Sequence, residues 1–359
     1  MSGKIPLIRP DLPALYEIAD IYNASVASGQ YSNFGANYKC AQEMLSKRTQ
    51  RLALPVTNGT LAVQIALQAS VPRGSRVAIC DFTFMATMNA VYSAGMTPVL
   101  VGAAEEYWTI DPETLWNRQD EFDAFIVTCP FGYFVNFGVY DEMSSRMSKP
   151  VIFDCAGGFG LNIKSPNPVT YSFHATKNLG IGEGGAICFG SSAHFERAAK
   201  LINFDFDSQK FPKTAFGTNG KLDELRSAML VAALKRETEF KQRIERHKHL
   251  IIQYQADLKD VLEQHVAYED AAPQLAVMIT KHAADLVLHG AQEGIEFRRY
   301  YYPLLSSMNY GVPIRVISKS SQFFHKFVAF PSDPIGDEYG RVVEFVRRIT
   351  KNEQKKLPN

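Results

Sequence analysis

Cysteine is scarce in this chain, and neither sign of charge is in excess. The 359 residues include five cysteines, Cys40, Cys80, Cys129, Cys155 and Cys188. Their number is odd and no two form a CxxC pair, which argues against a disulfide framework or a zinc site. Several lie in apolar stretches, where reduced, buried thiols are expected. Lysine and arginine total 38 against 37 aspartates and glutamates, a net charge of +1, so neither nucleic acid nor an anionic membrane is an expected partner. No apolar run is long enough to span a bilayer. The opening Met1-Ser2-Gly3-Lys4-Ile5-Pro6 lacks the apolar core of a signal peptide. A cytoplasmic location is expected, and the glycosylation sequons at Asn23 and Asn58 are then chance matches. There is no GxxxxGK[ST] phosphate loop, no internal repeat and no low-complexity segment.

The length is sufficient for two domains and a large core. In the first half, short apolar runs alternate with helical stretches. Helices are predicted over 61–69 and 87–94, and strands over 76–80, 97–101, 122–129, 151–154 and 186–189. This alternation predicts an α/β fold with a mostly parallel sheet covered on both faces. From 221 to about His265 the chain lacks proline and has helical periodicity. Phe240, Ile244, His247, Ile251, Tyr254 and Leu258 form one stripe, the packed face of a long helix. His247 on that stripe reads as a core or half-buried histidine. The last hundred residues read as a smaller α+β domain, with a strand over 274–279 and a helix over 282–292. Gly294 follows that helix as its C-cap. A short strand over 327–330, an amphipathic helix over 337–349 and a frayed tail after Lys351 complete it. The predicted division is 1–235 for a large domain with an N-terminal segment and 236–359 for a small domain entered by a long helix.

The most informative stretch is Ser172-Phe173-His174-Ala175-Thr176-Lys177, followed by Asn178-Leu179-Gly180-Ile181-Gly182-Glu183-Gly184-Gly185. It puts one lysine on a polar, glycine-flanked loop, and such loops let backbone approach a ligand closely. Partly desolvated, the amine suits a Schiff-base nucleophile. The glycines match GxGxxG formally, but they lead into the strand-like Ala186-Ile187-Cys188-Phe189, whereas a dinucleotide fingerprint opens a helix. Asn58-Gly59-Thr60 precedes a helical run and reads either as a phosphate seat or as a plain N-cap. Ser172 can add a second phosphate hydroxyl. Asp154 ends a buried strand, where ligands bind in open α/β sheets. Its desolvated charge calls for a cation, either an arginine or a protonated ring nitrogen. Phe84, in Asp81-Phe82-Thr83-Phe84-Met85-Ala86-Thr87, is placed to stack on a planar ring or to pack in the core. A lysine, an acid, a phosphate cradle and a stacking ring together point to pyridoxal 5′-phosphate.

These motifs resemble the DegT/DnrJ/StrS family of pyridoxal-phosphate-dependent nucleotide-sugar aminotransferases. The resemblance runs from about Ile5 to the last helix. It is strongest at Asn58-Gly59-Thr60-Leu61-Ala62, Phe82–Thr87, Ser172–Lys177 and Glu183-Gly184-Gly185-Ala186. Tyr31-Ser32-Asn33-Phe34-Gly35 and Gly294-Ile295-Glu296-Phe297-Arg298-Arg299-Tyr300-Tyr301-Tyr302-Pro303 also fit. It implies the fold-type-I aminotransferase architecture, a mixed, mainly parallel sheet with a small C-terminal α+β domain, in a homodimer with both active sites at the interface. By position Lys177 matches the covalent lysine, Asp154 the acid facing the pyridinium nitrogen and Phe84 the stacking aromatic. Gly59, Thr60 and Ser172 match phosphate contacts, and Asn219 matches a residue reaching the phosphate of the neighbouring subunit. One departure stands out. Where the family reads Asp-x-Ala-Gln or Asp-x-Ala-His, this chain reads Asp154-Cys155-Ala156-Gly157. The family's sugar 3-dehydratases carry histidine in place of the lysine, so Lys177 disfavours that activity.

The resemblance further implies amino transfer from L-glutamate to a nucleotide-linked ketosugar. The versions of the outer motifs look like the surface-polysaccharide branch. They point to C4 amination of dTDP-4-keto-6-deoxyglucose, giving dTDP-4-amino-4,6-dideoxyglucose for O-antigen synthesis. Arg298 or Arg299 would meet the diphosphate or form surface ion pairs, and Tyr31 and Phe34 would line the sugar pocket or simply pack. The alternatives are a C3 aminotransferase of the same family, an NAD(P)-dependent oxidoreductase and a non-catalytic binding protein.

Overall fold

Short runs of β-branched and small apolar residues, bounded by glycine, proline or aspartate, become the strands of a central sheet. The structure, a computed structural model, describes residues 3–133, 135–264 and 271–354. Its strands are β1 (Leu52–Val56), β2 (Arg76–Cys80), β3 (Thr97–Val101), β4 (Ala124–Thr128), β5 (Val151–Asp154), β6 (Val169–Ser172), β7 (Gly185–Phe189), β8 (Ala276–Ile279), β9 (Arg298–Arg299), β10 (Arg315–Val316) and β11 (Phe327–Phe330). Among the described residues, eight strands join in the order β1-β7-β6-β5-β4-β2-β3-β10. The stretch from β6 through β10 is parallel, and β7 is antiparallel to both its neighbours. The fold is therefore α/β with a mixed, mostly parallel sheet, as the alternation predicts. Successive residues feed opposite faces. Val77 and Ile79 pack in one apolar cluster and Ala78 and Cys80 in the other, so both faces are covered, as a parallel sheet requires. Pro55, which lacks a ladder donor, lies in the edge strand β1.

The helices, in chain order, are α1 (Leu15–Ser28), α2 (Ala36–Thr49), α3 (Gly59–Ser70), α4 (Met85–Ser93), α5 (Pro112–Asn117), α6 (Phe137–Met147), α7 (Ser192–Leu201), α8 (Glu224–Lys235), α9 (Glu237–Asp257), α10 (Ala283–Gln292) and α11 (Glu338–Gln354). The predicted helical stretch from 221 divides into α8 and α9. Arg236 leaves helical geometry at the junction (φ −82°, ψ 49°), and its guanidinium pairs with Asp11 at 2.7 Å. The predicted end at His265 and the tail from Lys355 onward lie outside the described residues. The stripe from Phe240 to Tyr254 is the buried face of α9, as expected.

The C-terminal part builds a second, antiparallel sheet, β8-β11-β9. It is tied back to the large sheet. Buried Asp81, just past β2, accepts hydrogen bonds from Ser306 Oγ at 2.6 Å, from Ser320 N at 3.1 Å and from Ser320 Oγ. Leu305 N donates to Asp81 O at 3.0 Å. These bonds fix the segment after β9 over the end of β2.

A second buried carboxylate holds the N-terminal helices. Glu224, fully buried in the first turn of α8, accepts from Asn37 N at 2.8 Å, Ser25 Oγ at 3.1 Å and Tyr38 N at 3.3 Å. It thereby caps α2, where the helix dipole favours an anion. A Cβ on Gly35 would come within 2.5 Å of the Glu224 carboxyl carbon, so only glycine fits. Glu224→Ala is expected to destabilise the fold by about 2–4 kcal/mol in urea titration, because it orphans buried donors. A loss near zero would show that the cap contributes nothing.

Candidate active site

The carboxyl ends of the parallel strands gather the predicted chemistry on one edge, the usual ligand side of such sheets. Asp154 ends β5 and Ser172 ends β6, and Phe84 follows β2 as the residue before α4. Lys177 lies on the loop from β6 to β7. That loop is tied by Phe173 N donating to Gly184 O at 2.8 Å, Ala175 N to Gly182 O at 2.8 Å and Ile181 N to Phe173 O at 2.9 Å. Gly182 has φ +92°, a conformation that side chains resist. The loop runs into β7, so the formal GxGxxG opens a strand and offers no helix N-terminus to a dinucleotide.

Asp154 is buried and oriented. Thr87 Oγ1, in the first turn of α4, donates to its Oδ2 at 2.7 Å, and Ala156 N donates to Oδ1 at 3.2 Å. Burial pushes the carboxyl above its ordinary pKa; Thr87, Ala156 N and the charge of Lys177 pull it back. Burial lowers the Lys177 amine to about 8, and the charge of Asp154 works in the opposite direction. The two groups feel each other's field without forming an ion pair. The carboxylate therefore remains available to another cation, and a useful fraction of the amine is neutral near pH 8.

Beside them Gly59 opens α3, with Asn58 as N-cap, its side chain accepting from Leu61 N at 2.8 Å. The N-cap reading is thus realised for Asn58, and it leaves Thr60 free for another role. A Cβ on Gly59 would sit 2.7 Å from Ser172 Cβ, so the start of α3 and the end of β6 touch. Asn58, Thr60, Leu61, Gln64 and Glu183 line an open cleft at this helix N-terminus. The structure therefore sets these residues along one edge of the sheet, with Lys177 coupled to Asp154 and Gly59 against Ser172, and with Thr60 in the cleft at the start of α3. Phe84 is 61 % exposed, whereas Phe82 is fully buried against Phe131, Phe324 and Phe327; core packing is the fate of Phe82, and Phe84 is free to face a ligand.

The other predicted residues lie apart. Tyr31 and Phe34 sit between α1 and α2, where Tyr31 O accepts from Glu224 N and Phe34 meets Tyr38 edge-on at 5.0 Å. Arg298 pairs with Glu296 at 2.9 Å, and Arg299 donates to His325 O at 2.9 Å and lies over the Tyr302 ring. Asn219 is exposed on the segment bridged to Asn203. Among the described residues, no hydrogen bond, ion pair or ring contact joins any of these five to Lys177 or Asp154. Sequence reasoning assigned no role to Thr87 or Tyr301. Tyr301 stacks on Phe131 at 5.1 Å and 13°, and its ring centre is 6.5 Å from that of Phe84. Its hydroxyl is pushed up by burial first, then by nearby charges that include Asp154. Thr87 was legible as a hydroxyl one helical turn past Phe84; nothing local marks Tyr301.

Comparison with known proteins adds the wider context. The DegT/DnrJ/EryC1/StrS aminotransferase family model matches residues 16–344. GDP-perosamine synthase of Escherichia coli O157:H7 is 23 % identical over 84 % of this chain and 85 % of its own. The dTDP-3-amino-3,4,6-trideoxy-α-D-glucose transaminase of Streptomyces venezuelae is 29 % identical over 50 % of this chain and 49 % of its own. The crystal structure of NtdA from Bacillus subtilis, with bound cofactor PMP, superposes with a TM-score of 0.82 at 19 % identity, covering 98 % of this chain and 86 % of that one.

The electrostatics predict a selectively reactive amine. With a pKa of about 8, half of Lys177 is neutral at pH 8, against about 0.4 % of an ordinary exposed lysine. Trinitrobenzenesulfonate should therefore label, besides the α-amine, one fast lysine with a midpoint near pH 8, identified by peptide mapping and absent in Lys177→Arg. Asp154→Asn removes the charge that raises this pKa, so its midpoint should fall. A midpoint that stays put or rises contradicts the coupling.

Proposed function

The chain belongs to the DegT/DnrJ/EryC1/StrS aminotransferase family, and from that premise we propose that it moves an amino group from L-glutamate to C4 of a nucleotide-linked 4-keto-6-deoxyhexose. The acceptor in this reading is dTDP-4-keto-6-deoxyglucose and the product dTDP-4-amino-4,6-dideoxyglucose, a precursor of surface polysaccharide such as O-antigen. Relatives named for a GDP-sugar and for a dTDP-amino-sugar support a nucleotide-linked substrate. The observation that carries the reading is the half-buried Lys177, its amine held down to about 8 by desolvation, beside the buried carboxylate of Asp154 with no ion pair between them.

The cofactor is pyridoxal 5′-phosphate, which when bound supplies an electron sink for the carbanion formed at the amine-bearing carbon. The residues present fit it. Gly59 and Thr60 at the start of α3, with Ser172, would hold the phosphate, because backbone N–H groups and the helix dipole favour an anion there. Asp154, fixed by Thr87 and Ala156, would hold the proton on the ring nitrogen. In a desolvated site that charged hydrogen bond is strong. Phe84 would lie against the ring face. Lys177 would anchor the cofactor through Nζ and, once displaced by the donor's amine, would take a proton at Nζ from the amine-bearing carbon and deliver it to the cofactor carbon that Lys177 had held. Its pKa of about 8 suits a group that must both accept and give up a proton near neutral pH.

Within this reading residues 1–235 carry the cofactor and residues 236–359, entered by α9, form the small domain. Tyr31, Phe34, Arg298 and Arg299 would meet the nucleotide sugar. We place the enzyme in the cytoplasm as a homodimer, with Asn219 reaching the partner's phosphate site. Its five free cysteines support the location, and the exposed apolar side chains Leu15, Tyr16 and Phe211 support the assembly. No helix among the described residues is long and apolar enough to cross a membrane. The alternative of C3 amination is favoured by one observation, the 3-amino sugar in the name of the Streptomyces venezuelae relative.

Purified protein should absorb in the visible when supplied with pyridoxal 5′-phosphate and bleach on addition of L-glutamate. Lys177→Ala should lose both the band and all turnover; full activity in that variant ends the proposal. NMR of the aminated product distinguishes C4 from C3. Light scattering should give about 80 kDa, twice the chain mass of 40.1 kDa. A monomer of the single-chain mass with full activity would rule out a shared site.

A further inference from the structure

Gly157 ends the turn after Asp154, and what fills the space of its missing side chain comes from far along the sequence. A Cβ built on Gly157 would lie 2.7 Å from Gln274 Oε1 and 2.9 Å from Gln274 Cδ. Gln274 is 8 % exposed, and its Oε1 has no hydrogen-bond donor. A buried amide oxygen without a donor costs about 1–3 kcal/mol. Native interiors rarely leave one without a ligand or a functional reason.

The segment bearing Gln274 is gripped from several elements. Ala272 N donates to Gly132 O at 2.8 Å and Gln274 N to Phe131 O at 3.0 Å. Asn178 Nδ2 donates to Ala272 O at 2.9 Å and reaches Pro273 O at 3.3 Å. His247 Nδ1 lies 2.9 Å from Pro273 O. Gly132 itself (φ +82°) has no room for a side chain, since a Cβ there would run into Ala272 O. Asn178 is the residue after Lys177, and Ala156, just before Gly157, donates to the Asp154 carboxylate. Gln274 is thus braced between the lysine loop and the aspartate turn, with a rigid backbone and an unsatisfied acceptor.

We propose that Gln274 is a cofactor-contacting residue whose amide oxygen accepts a hydrogen bond from the ring hydroxyl of pyridoxal 5′-phosphate, in the space that residue 157 leaves to it. The inference rests on the cofactor reading above. Elimination identifies the group. The phosphate is an anion and seeks donors, the ring nitrogen goes to Asp154, and the carbonyl carbon goes to Lys177. The ring hydroxyl is the donor that remains for an orphaned acceptor.

The test titrates apo-protein with pyridoxal 5′-phosphate, following quenching of Trp108 and Trp116 fluorescence, and records the pH midpoint of the visible band. Gln274→Leu should bind about tenfold more weakly, the worth of one buried hydrogen bond, and should shift the midpoint. The exchange variant Gly157→Gln with Gln274→Gly should bind more tightly than Gln274→Gly alone, because it returns an amide to the same space from the other side. If Gln274→Leu does not fold by circular dichroism, Gln274→Glu decides in its place. A carboxylate there should move the midpoint upward. Affinity and midpoint unchanged in the variant that folds, or an exchange variant no better than Gln274→Gly, overturns the proposal. Failure of the wild-type protein to take up the cofactor is a separate outcome and defeats the underlying reading, with this inference falling alongside it.

Discussion

An amine and a carboxylate held in one desolvated place, yet prevented from neutralising each other, are the constraint on which the site depends. Two unit charges about 4 Å apart attract by about 4 kcal/mol at an effective dielectric of 20, enough to collapse a soft site into an ion pair. Here each group is restrained by a different element. Asp154 is held by Thr87 from α4 and by the backbone of its own turn. Lys177 rides on a loop closed by backbone hydrogen bonds. The central position of β5 between β4 and β6 gives the carboxylate a rigid base. Because neither charge is spent on the other, both remain available to a ligand.

The C-terminal part of the chain completes this arrangement. Asp81 locks the segment after β9 over the end of β2, which brings Tyr301 against Phe131. On α9, His247 links Asp333 at 3.1 Å to the carbonyl of Pro273 at 2.9 Å. Burial would raise the Asp333 carboxyl, but the hydrogen bond and charge of His247 and the charge of Arg243 hold it below its usual value. The expectation of a buried histidine on the α9 stripe is right about burial but understates its polar role, because His247 steadies the segment that carries Gln274. The site is a composite of chain segments far apart in sequence, and its precision comes from buried polar contacts between them.

That composite character explains what could be read in advance. Strands β2, β3, β4 and β5 were legible because they are almost wholly buried and their apolar runs are nearly continuous, whereas β6 and β10, also parallel, carry too short an apolar run to stand out. Lys177, Asp154 and the Asn58-Gly59-Thr60 turn were legible because their chemistry is local: a glycine-rich loop, a strand end and a helix start. The break at Arg236 was not, because periodicity continues across it and the arginine's partners, Asp11 and Glu17, lie on the N-terminal segment. Strand β1 was obscured by Pro55, tolerated only because the strand is at an edge. Phe82 and Phe84 are two residues apart and chemically identical, and only the packing of Phe131, Phe324 and Phe327 decides which is buried. Gln274 had no local signal, since its importance arises from a glycine in another element.

The glycines after Lys177 show how one motif can serve both a loop and a distant helix. A Cβ on Gly185 would lie 2.6 Å from both the carbonyl carbon and the oxygen of Asn58. The bare backbone at the start of β7 therefore lets the N-terminus of α3 settle directly on the sheet. Gly59 makes the reciprocal approach to Ser172. A dinucleotide fold uses glycines to bring its own following helix to a pyrophosphate. In this chain they bring a helix from an earlier part of the sequence to the same edge as the lysine. The start of α3 and the loop bearing Lys177 are thus fixed relative to each other by the absence of side chains. Any bulk added at Gly59 or Gly185 must separate the two before it disturbs either one alone.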